Sequence, residues 1–278
     1  MLTPPVLSAP FLFYFSFKEF AMQKDLIFED ERIDVVNERL SLIQKKDGLT
    51  FGTDAFLLAA YMKPQRSAHA VELGAGTGII SLLCAAREKF ARIDAFEIQN
   101  DFAELTNRNI AMNSLGERVS CRCADVRDVS ARDTGAEVDV VFSNPPYMRT
   151  DSGKRNEADM KYIARHEVCG NIGDFCAAAK RLLKHGGKFY CVWRPDRLTE
   201  LLSALRDNSL EPKTLTFVHA DEDSAPSMIL LCAKKGAAPS LNVSAPLILH
   251  SAKEKGGTRA LSDKAQKIYD TMSFEAFK

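Results

Sequence analysis

Three glycines in alternate positions, Gly74-Ala75-Gly76-Thr77-Gly78, stand between an apolar run, Ala70 to Leu73, and a helical stretch, Ile79 to Arg87. The short run reads as a buried strand, so the glycines form a strand-to-helix turn. Glycine there permits positive φ and close approach of a ligand to the backbone. The helix N-terminus behind it offers unpaired N–H groups to anionic atoms. Glu72 precedes the first glycine by two residues, and Glu97 closes the next strand, Arg92 to Phe96. That is about the ~20 residues onward at which such folds carry a ribose-binding acid. The glycine spacing is not the Gly-x-Gly-x-x-Gly of dinucleotide sites, which weighs against a nucleotide-binding oxidoreductase.

A second feature lies downstream. The apolar run Val138 to Phe142 meets Asn144-Pro145-Pro146-Tyr147. Proline donates no ladder hydrogen bond and keeps the residue before it extended, so the strand must stop there. The corner offers an amide, two prolyl carbonyls and an aromatic ring at a strand's C-terminal edge, where ligands sit in open α/β sheets. Those parts can hold a planar amino group; the bland alternative is a loop that ends a strand.

Glu72 to Gly78 and Glu97 together resemble the class I S-adenosylmethionine-dependent methyltransferases, and Asn144 to Tyr147 resembles their amino-methylating branch. The two motifs fall after the first and fourth core strands, as that fold requires. Within the branch, the chain is similar to the bacterial tRNA1(Val) adenine-N6-methyltransferases, which modify the purine just after the anticodon. The resemblance runs roughly from Glu31 to Leu249 and includes Thr50-Phe51-Gly52-Thr53-Asp54-Ala55 and Ala164-Arg165-His166-Glu167.

It implies a Rossmann-like α/β fold: a seven-stranded, mostly parallel sheet with one antiparallel edge hairpin and helices on both faces. It also implies S-adenosylmethionine as cofactor. Glu72, Gly74, Gly76, Gly78 and Glu97 would hold that cofactor, with Phe51, Thr53 and Asp54 approaching from a flap, Asp125 taking the adenine amino group, and Asn144 lying alongside. A capping residue with a packing aromatic, and a solvated loop acid, are the competing readings of Thr53-Asp54 and of Asp125.

The catalytic residues expected are Asn144, Pro145 and Tyr147. An exocyclic amino nitrogen is a poor nucleophile while its lone pair is conjugated into the ring. If the Asn144 side-chain oxygen and the Pro145 carbonyl each accept one amino hydrogen, the nitrogen is held and turned towards the tetrahedral geometry of attack. Pro146 and Tyr147 would contact the base, Tyr147 by stacking worth ~1–3 kcal/mol. No metal is required. An adenine inside a helix is out of reach, so the target must be unpaired or flipped. Met148 to Glu167 lacks a sustained apolar period and carries Arg149, Lys154, Arg155 and Arg165, which suits a basic substrate lid or a solvated loop. His166 reads as a general base or as a structural histidine.

Along the chain, residues 1–24 form an extension that includes the apolar Phe11 to Phe17, too short to span a bilayer. Two readings of it stay open, a disordered extension that starts at Met1 and a translation start at Met22. Residues 25–66 supply a flap, in which Leu40 to Gln44 and Leu49 to Gly52 flank an Asp47-Gly48 turn signal and Thr53-Asp54 caps a helix. Residues 67–235 form the methyltransferase domain. Its later elements are a strand, Val119 to Cys123, a helix, Asn171 to Leu183, ended by Gly186-Gly187, a strand, Lys188 to Trp193, a helix, Pro195 to Asp207, and an antiparallel pair, Lys213 to Ala220 with Met228 to Ala233. Residues 236–278 form a loosely docked tail with a helix from Ser262 to Met272.

Composition adds constraints. A hydrophobic share of 46% against 27% charged residues suits a buried core. The formal net charge of zero gives no global field for nucleic acid. Seven scattered cysteines without a Cys-x-x-Cys suit a reduced, cytoplasmic chain. The partner expected is tRNA, through its anticodon loop; no membrane is expected, and a monomer is favoured. The rival acceptors are a ribosomal RNA or DNA base, or a glutamine N5 of a translation factor. The last is disfavoured because too few residues precede the glycine turn for the helical domain such enzymes carry. A scaffold without turnover is the remaining alternative, and it has no need of Asn144.

Overall fold

The computed structural model describes residues 26–46, 52–146, 170–251 and 259–277. Apolar strands buried on both faces require helices on both sides, and the chain builds that arrangement. Strands β3 (Gln65–Leu73), β4 (Phe90–Glu97), β5 (Val119–Cys123), β6 (Val138–Ser143) and β7 (Leu183–Trp193) are parallel. β8 (Leu210–His219) and β9 (Pro226–Lys235) follow, β9 being antiparallel to both β7 and β8. The spatial order is β8-β9-β7-β6-β3-β4-β5. Two-residue strands β10 (Asn242–Val243) and β11 (Leu247–Ile248) extend it beyond β8, making nine strands where the sequence suggested seven.

Helices α1 (Thr53–Tyr61), α2 (Ile79–Ala86) and α3 (Asn100–Met112) cover one face, and α4 (Ile172–Leu182) and α5 (Leu198–Asp207) the other. Alternation along β6 serves both sides: Val140 and Phe142 enter the first core, Val141 the second. Neighbouring β3 and β6 lead to opposite wings of the sheet, so their C-terminal ends border the crevice of an open α/β fold.

Several local expectations are corrected. The described hairpin pairs β1 (Glu31–Asn37) with β2 (Leu40–Lys45), turning at Glu38-Arg39; the Asp47-Gly48 turn lies outside the described residues. Glu31 belongs in a strand because Arg108 neutralises it bidentately at 2.6 and 2.7 Å. β2 lies along α3, where Asn113 and Asn109 bond both backbone groups of Ser41 and Ile43 as a neighbouring strand would. The α1 cap is Gly52, not Thr53-Asp54. α4 passes directly into β7 at Leu183, so Gly186-Gly187 lie within that strand rather than at a helix end. Its start follows the local code: Asn171 and Asp174 form a capping box. A 3-10 turn, Pro195–Arg197, precedes α5.

Helix α1 has no basic residue in its last turn. Lys89 performs that task from the turn before β4, donating to the carbonyls of Ala59, Ala60 and Met62 at 2.6, 3.3 and 2.8 Å. The final helix, α6 (Asp263–Thr271), starts at a Ser262 cap and buries Ala265 and Ile268, so the tail packs against the core instead of hanging loosely.

Candidate functional site

The glycine turn is fixed from beneath and left open above. Gly74 and Ala75 N–H donate to the Phe96 carbonyl at 2.8 and 3.1 Å, tying the turn to β4. Gly78 (φ 81°) donates to Ala75, and a Cβ there would lie 2.7 Å from Thr106 Cγ2. Thr106 in turn donates to the Gly76 carbonyl at 2.7 Å. Gly76 itself has φ +56° and nothing within 4 Å of where a Cβ would stand. Its vacant side faces open space, as a ligand cradle requires.

The two acids do different things. Glu97 accepts from Gly76 N–H at 2.8 Å and from Gln99 N–H at 2.9 Å, which locks its carboxylate beside the turn. Glu72 points inward. It is fully buried, one oxygen accepts from the Ser81 N–H and hydroxyl, and the other has no partner. Burial pushes its pKa up to about 8, because few groups there offset the lost hydration. The vacant Gly76 face fits a ligand seated on this turn, with Glu72 buried beneath it.

Asp125 lies just past β5, next to Ala124, whose N–H donates to the Glu97 carbonyl at 2.9 Å. Its carboxylate is engaged by the Arg127 guanidinium and by Arg127 N–H, and the Arg127 side chain holds its pKa below the usual carboxylate range. A ligand amino group approaching Asp125 would share it with Arg127.

The second motif lies directly beside the turn. Ser143 Oγ donates to the Leu73 carbonyl at 2.7 Å, stitching the end of β6 to the end of β3. Asn144 follows, half-buried, with Pro145 buried and Pro146 half-buried. Asn144 Nδ2 donates to Asp54 Oδ2 at 2.8 Å, while Asp54 Oδ1 accepts from Ala55 N–H at 2.9 Å. A carboxylate can only accept, so this contact fixes which end of the Asn144 amide faces α1. The carbonyl oxygen is thereby the end directed elsewhere. Gly52 leaves room for this placement of the carboxylate: a Cβ there would come within 2.5 Å of Asp54 Oδ1, which would have to shift.

Beside Thr53 and Asp54 opens a cleft of about 860 Å³, walled by Trp193, Arg194, Pro195 and Met228. Trp193 is pinned by its indole N–H to the Arg197 carbonyl at 3.1 Å, with the Arg197 guanidinium 5.2 Å from the ring centre. Arg194 pairs with Asp196.

The structure therefore brings together Gly74, Gly76, Gly78, Glu97, Thr53, Asp54 and Asn144. Phe51, Tyr147, Arg149, Lys154, Arg155, Arg165 and His166 lie outside the described residues. Sequence reasoning missed Ser143, Thr106 and Trp193. Ser143 alone carried a signal, a hydroxyl directly after the apolar Val140 to Phe142. Among the described residues no group of three His, Cys, Asp or Glu side chains is placed to hold a metal ion, and no helix is long and apolar enough to cross a membrane.

Residues 45–208 match the methyltransferase small domain family. A tRNA1(Val) (adenine(37)-N6)-methyltransferase of Phocaeicola vulgatus is 30% identical, covering 80% of this chain and 83% of that protein. Its namesake in Parabacteroides distasonis is 26% identical over 78% of this chain and 82% of its own length. Among solved structures, a predicted O-methyltransferase of Agrobacterium tumefaciens superposes with a TM-score of 0.63 at 23% identity, covering 80% of this chain and 97% of that one, a likeness of fold. The match over residues 45–208 and the kinship with the first of these relatives over 80% of this chain and 83% of that protein agree with the glycine turn and the Asn144 corner: the chain belongs to the methyltransferase small domain family and, with it, to the tRNA1(Val) (adenine37-N6)-methyltransferases.

Proposed function

We propose that this protein transfers a methyl group from S-adenosylmethionine to the N6 of an unpaired adenine in tRNA, position 37 of tRNA1(Val). The observation that carries the reading is the Asn144 to Asp54 hydrogen bond at 2.8 Å, which orients a carbonyl acceptor at the edge of the crevice. Kinship with the tRNA methyltransferases supports the acceptor.

When bound, the cofactor supplies an electrophilic methyl on a sulfonium. The Gly74 to Gly78 turn provides the cradle, with Glu97 beside it for the ribose hydroxyls and Asp125 for the adenine amino group. Thr53 and Asp54 approach from α1. The carbonyl oxygens of Asn144 and Pro145 accept the two hydrogens of the target amino group, which draws its lone pair out of conjugation and aims it into the crevice. Such positioning supplies ~7–11 kcal/mol of barrier reduction for a well-held pair. Pro146 and Tyr147 contact the flipped base. The cleft beside Trp193 has room for a nucleoside, and Arg149, Lys154, Arg155 and Arg165 supply positive charge for the anticodon-loop phosphates. The six described cysteines, Cys84, Cys121, Cys123, Cys176, Cys191 and Cys232, are free thiols, which supports a cytoplasmic setting. We read the protein as a monomer.

The test is methyl transfer from labelled S-adenosylmethionine into total tRNA lacking this modification, followed by nucleoside analysis. Label recovered as N6-methyladenosine in a valine tRNA is expected. No label in tRNA, with cofactor binding intact, moves the acceptor to another RNA, to DNA or to a protein amide.

A further inference from the structure

The C-terminal helix reaches the helix that carries Asp54. Tyr269 on α6 stacks on Phe56 of α1, ring centres 4.3 Å apart and 12° from parallel. Further along α1, Phe274 meets Tyr61 edge to face at 5.2 Å, and Glu275 lies 3.6 Å from the Lys63 ammonium. The tail thus follows α1 from its first turn to beyond its last. Phe56 is two residues from Asp54, so whatever sets the first turn of α1 sets the carboxylate that Asn144 donates to.

We propose that Tyr269 is a positioning residue: the C-terminal helix braces the first turn of α1 and so fixes Asp54 and, through it, the Asn144 amide. This rests on the reading of Asn144 as the acceptor of the amino hydrogens. Tyr269 also interacts with the Thr53 side chain, so the contact reaches the residue next to Asp54. An aromatic pair stabilises beyond its buried area, enough to bias a short helix end without being required for folding.

The experiment uses the full chain with Tyr269→Ala, Phe56→Leu, Tyr269→Phe and, as a control on the buried face of α6, Ile268→Ala. Two readouts are taken: the side-chain amide resonances of Asn144, assigned by their loss in Asn144→Ala, and kcat and KM for tRNA methylation. Tyr269→Ala is expected to shift the Asn144 resonances and lower kcat about tenfold with KM for tRNA within about twofold. Phe56→Leu, which removes the other ring of the stack, repeats that pattern and serves if Tyr269→Ala does not fold. Tyr269→Phe keeps the ring stack and stays within about threefold of wild type. Ile268→Ala lowers Tm but leaves the resonances and kcat in place. Unmoved Asn144 resonances in folded Tyr269→Ala or Phe56→Leu overturn the proposal, as does an equal shift in Ile268→Ala. Absence of tRNA methylation by the wild type would defeat the functional reading instead, and the resonances still decide the brace.

Discussion

Asn144 Nδ2 donates to Asp54 Oδ2 at 2.8 Å, across 90 residues of sequence. The contact joins the two halves of the site, since Asp54 stands at the start of α1 and Asn144 at the end of β6. It also assigns the amide. With its NH2 turned to a carboxylate, the acceptor that Asn144 can offer a substrate amino group is its carbonyl oxygen.

Asn144→Ala is expected to retain cofactor binding and lower kcat about 10²–10³-fold, the scale seen when one oriented transition-state contact is removed. Calorimetry with S-adenosylhomocysteine and steady-state kinetics check the two halves separately. An equal loss of cofactor affinity would show the corner to be misassigned. Asp54→Asn can pair with either end of the Asn144 amide, so it should lower kcat by about tenfold without unfolding the protein.

Gly52→Ala tests the same relationship sterically. Gly52 has φ −100°, which any residue adopts, so the backbone should accept alanine. The new methyl would stand 2.5 Å from Asp54 Oδ1 and displace it. A Tm close to wild type with a reduced kcat is the expected pair of results; a normal kcat would mean that the carboxylate has an equivalent alternative position.

Gly76 separates strain from occlusion. Alanine there costs about 1–2 kcal/mol for its left-handed backbone but meets no neighbour within 4 Å. Gly76→Ala should fold with a lowered Tm. Gly76→Arg fills the crevice and should lose both S-adenosylhomocysteine binding and turnover; retained binding would place the cofactor elsewhere.

Glu72 gives stability a specific pH dependence. Its folded pKa is raised from 4.5 to about 8, so the folded state keeps a proton that the unfolded chain releases. The contribution is complete below about 4.5 and is lost as pH rises towards about 8. Glu72→Gln mimics the neutral acid and does not titrate. Its Tm relative to wild type should therefore climb steadily across that interval, and parallel curves would contradict a buried neutral Glu72.

The parallel core was legible because its strands are short apolar runs bounded by turn residues. The fifth strand, Val119 to Cys123, has the bounds the alternation predicts. The first motif was equally local, a strand, a turn and a helix within one short stretch. The hairpin was not, because β1 looks polar until Arg108 is placed against Glu31. The same holds for Asp54. Its sequence neighbours suggest a helix cap, and only the fold brings it to Asn144. The tail helix was visible as a period, but the Tyr269 contact with Phe56 depends on two distant segments meeting.

Lys89 offers a consequence for chemistry on the protein itself. Its ammonium is buried among the last carbonyls of α1, and burial lowers its pKa to about 8. An amine-directed acylating reagent cannot reach it while the helix end is closed. The time course of Lys89 acylation, followed by peptide mass analysis, is therefore a clock for the opening of α1, and a bound cofactor that holds that helix should slow it.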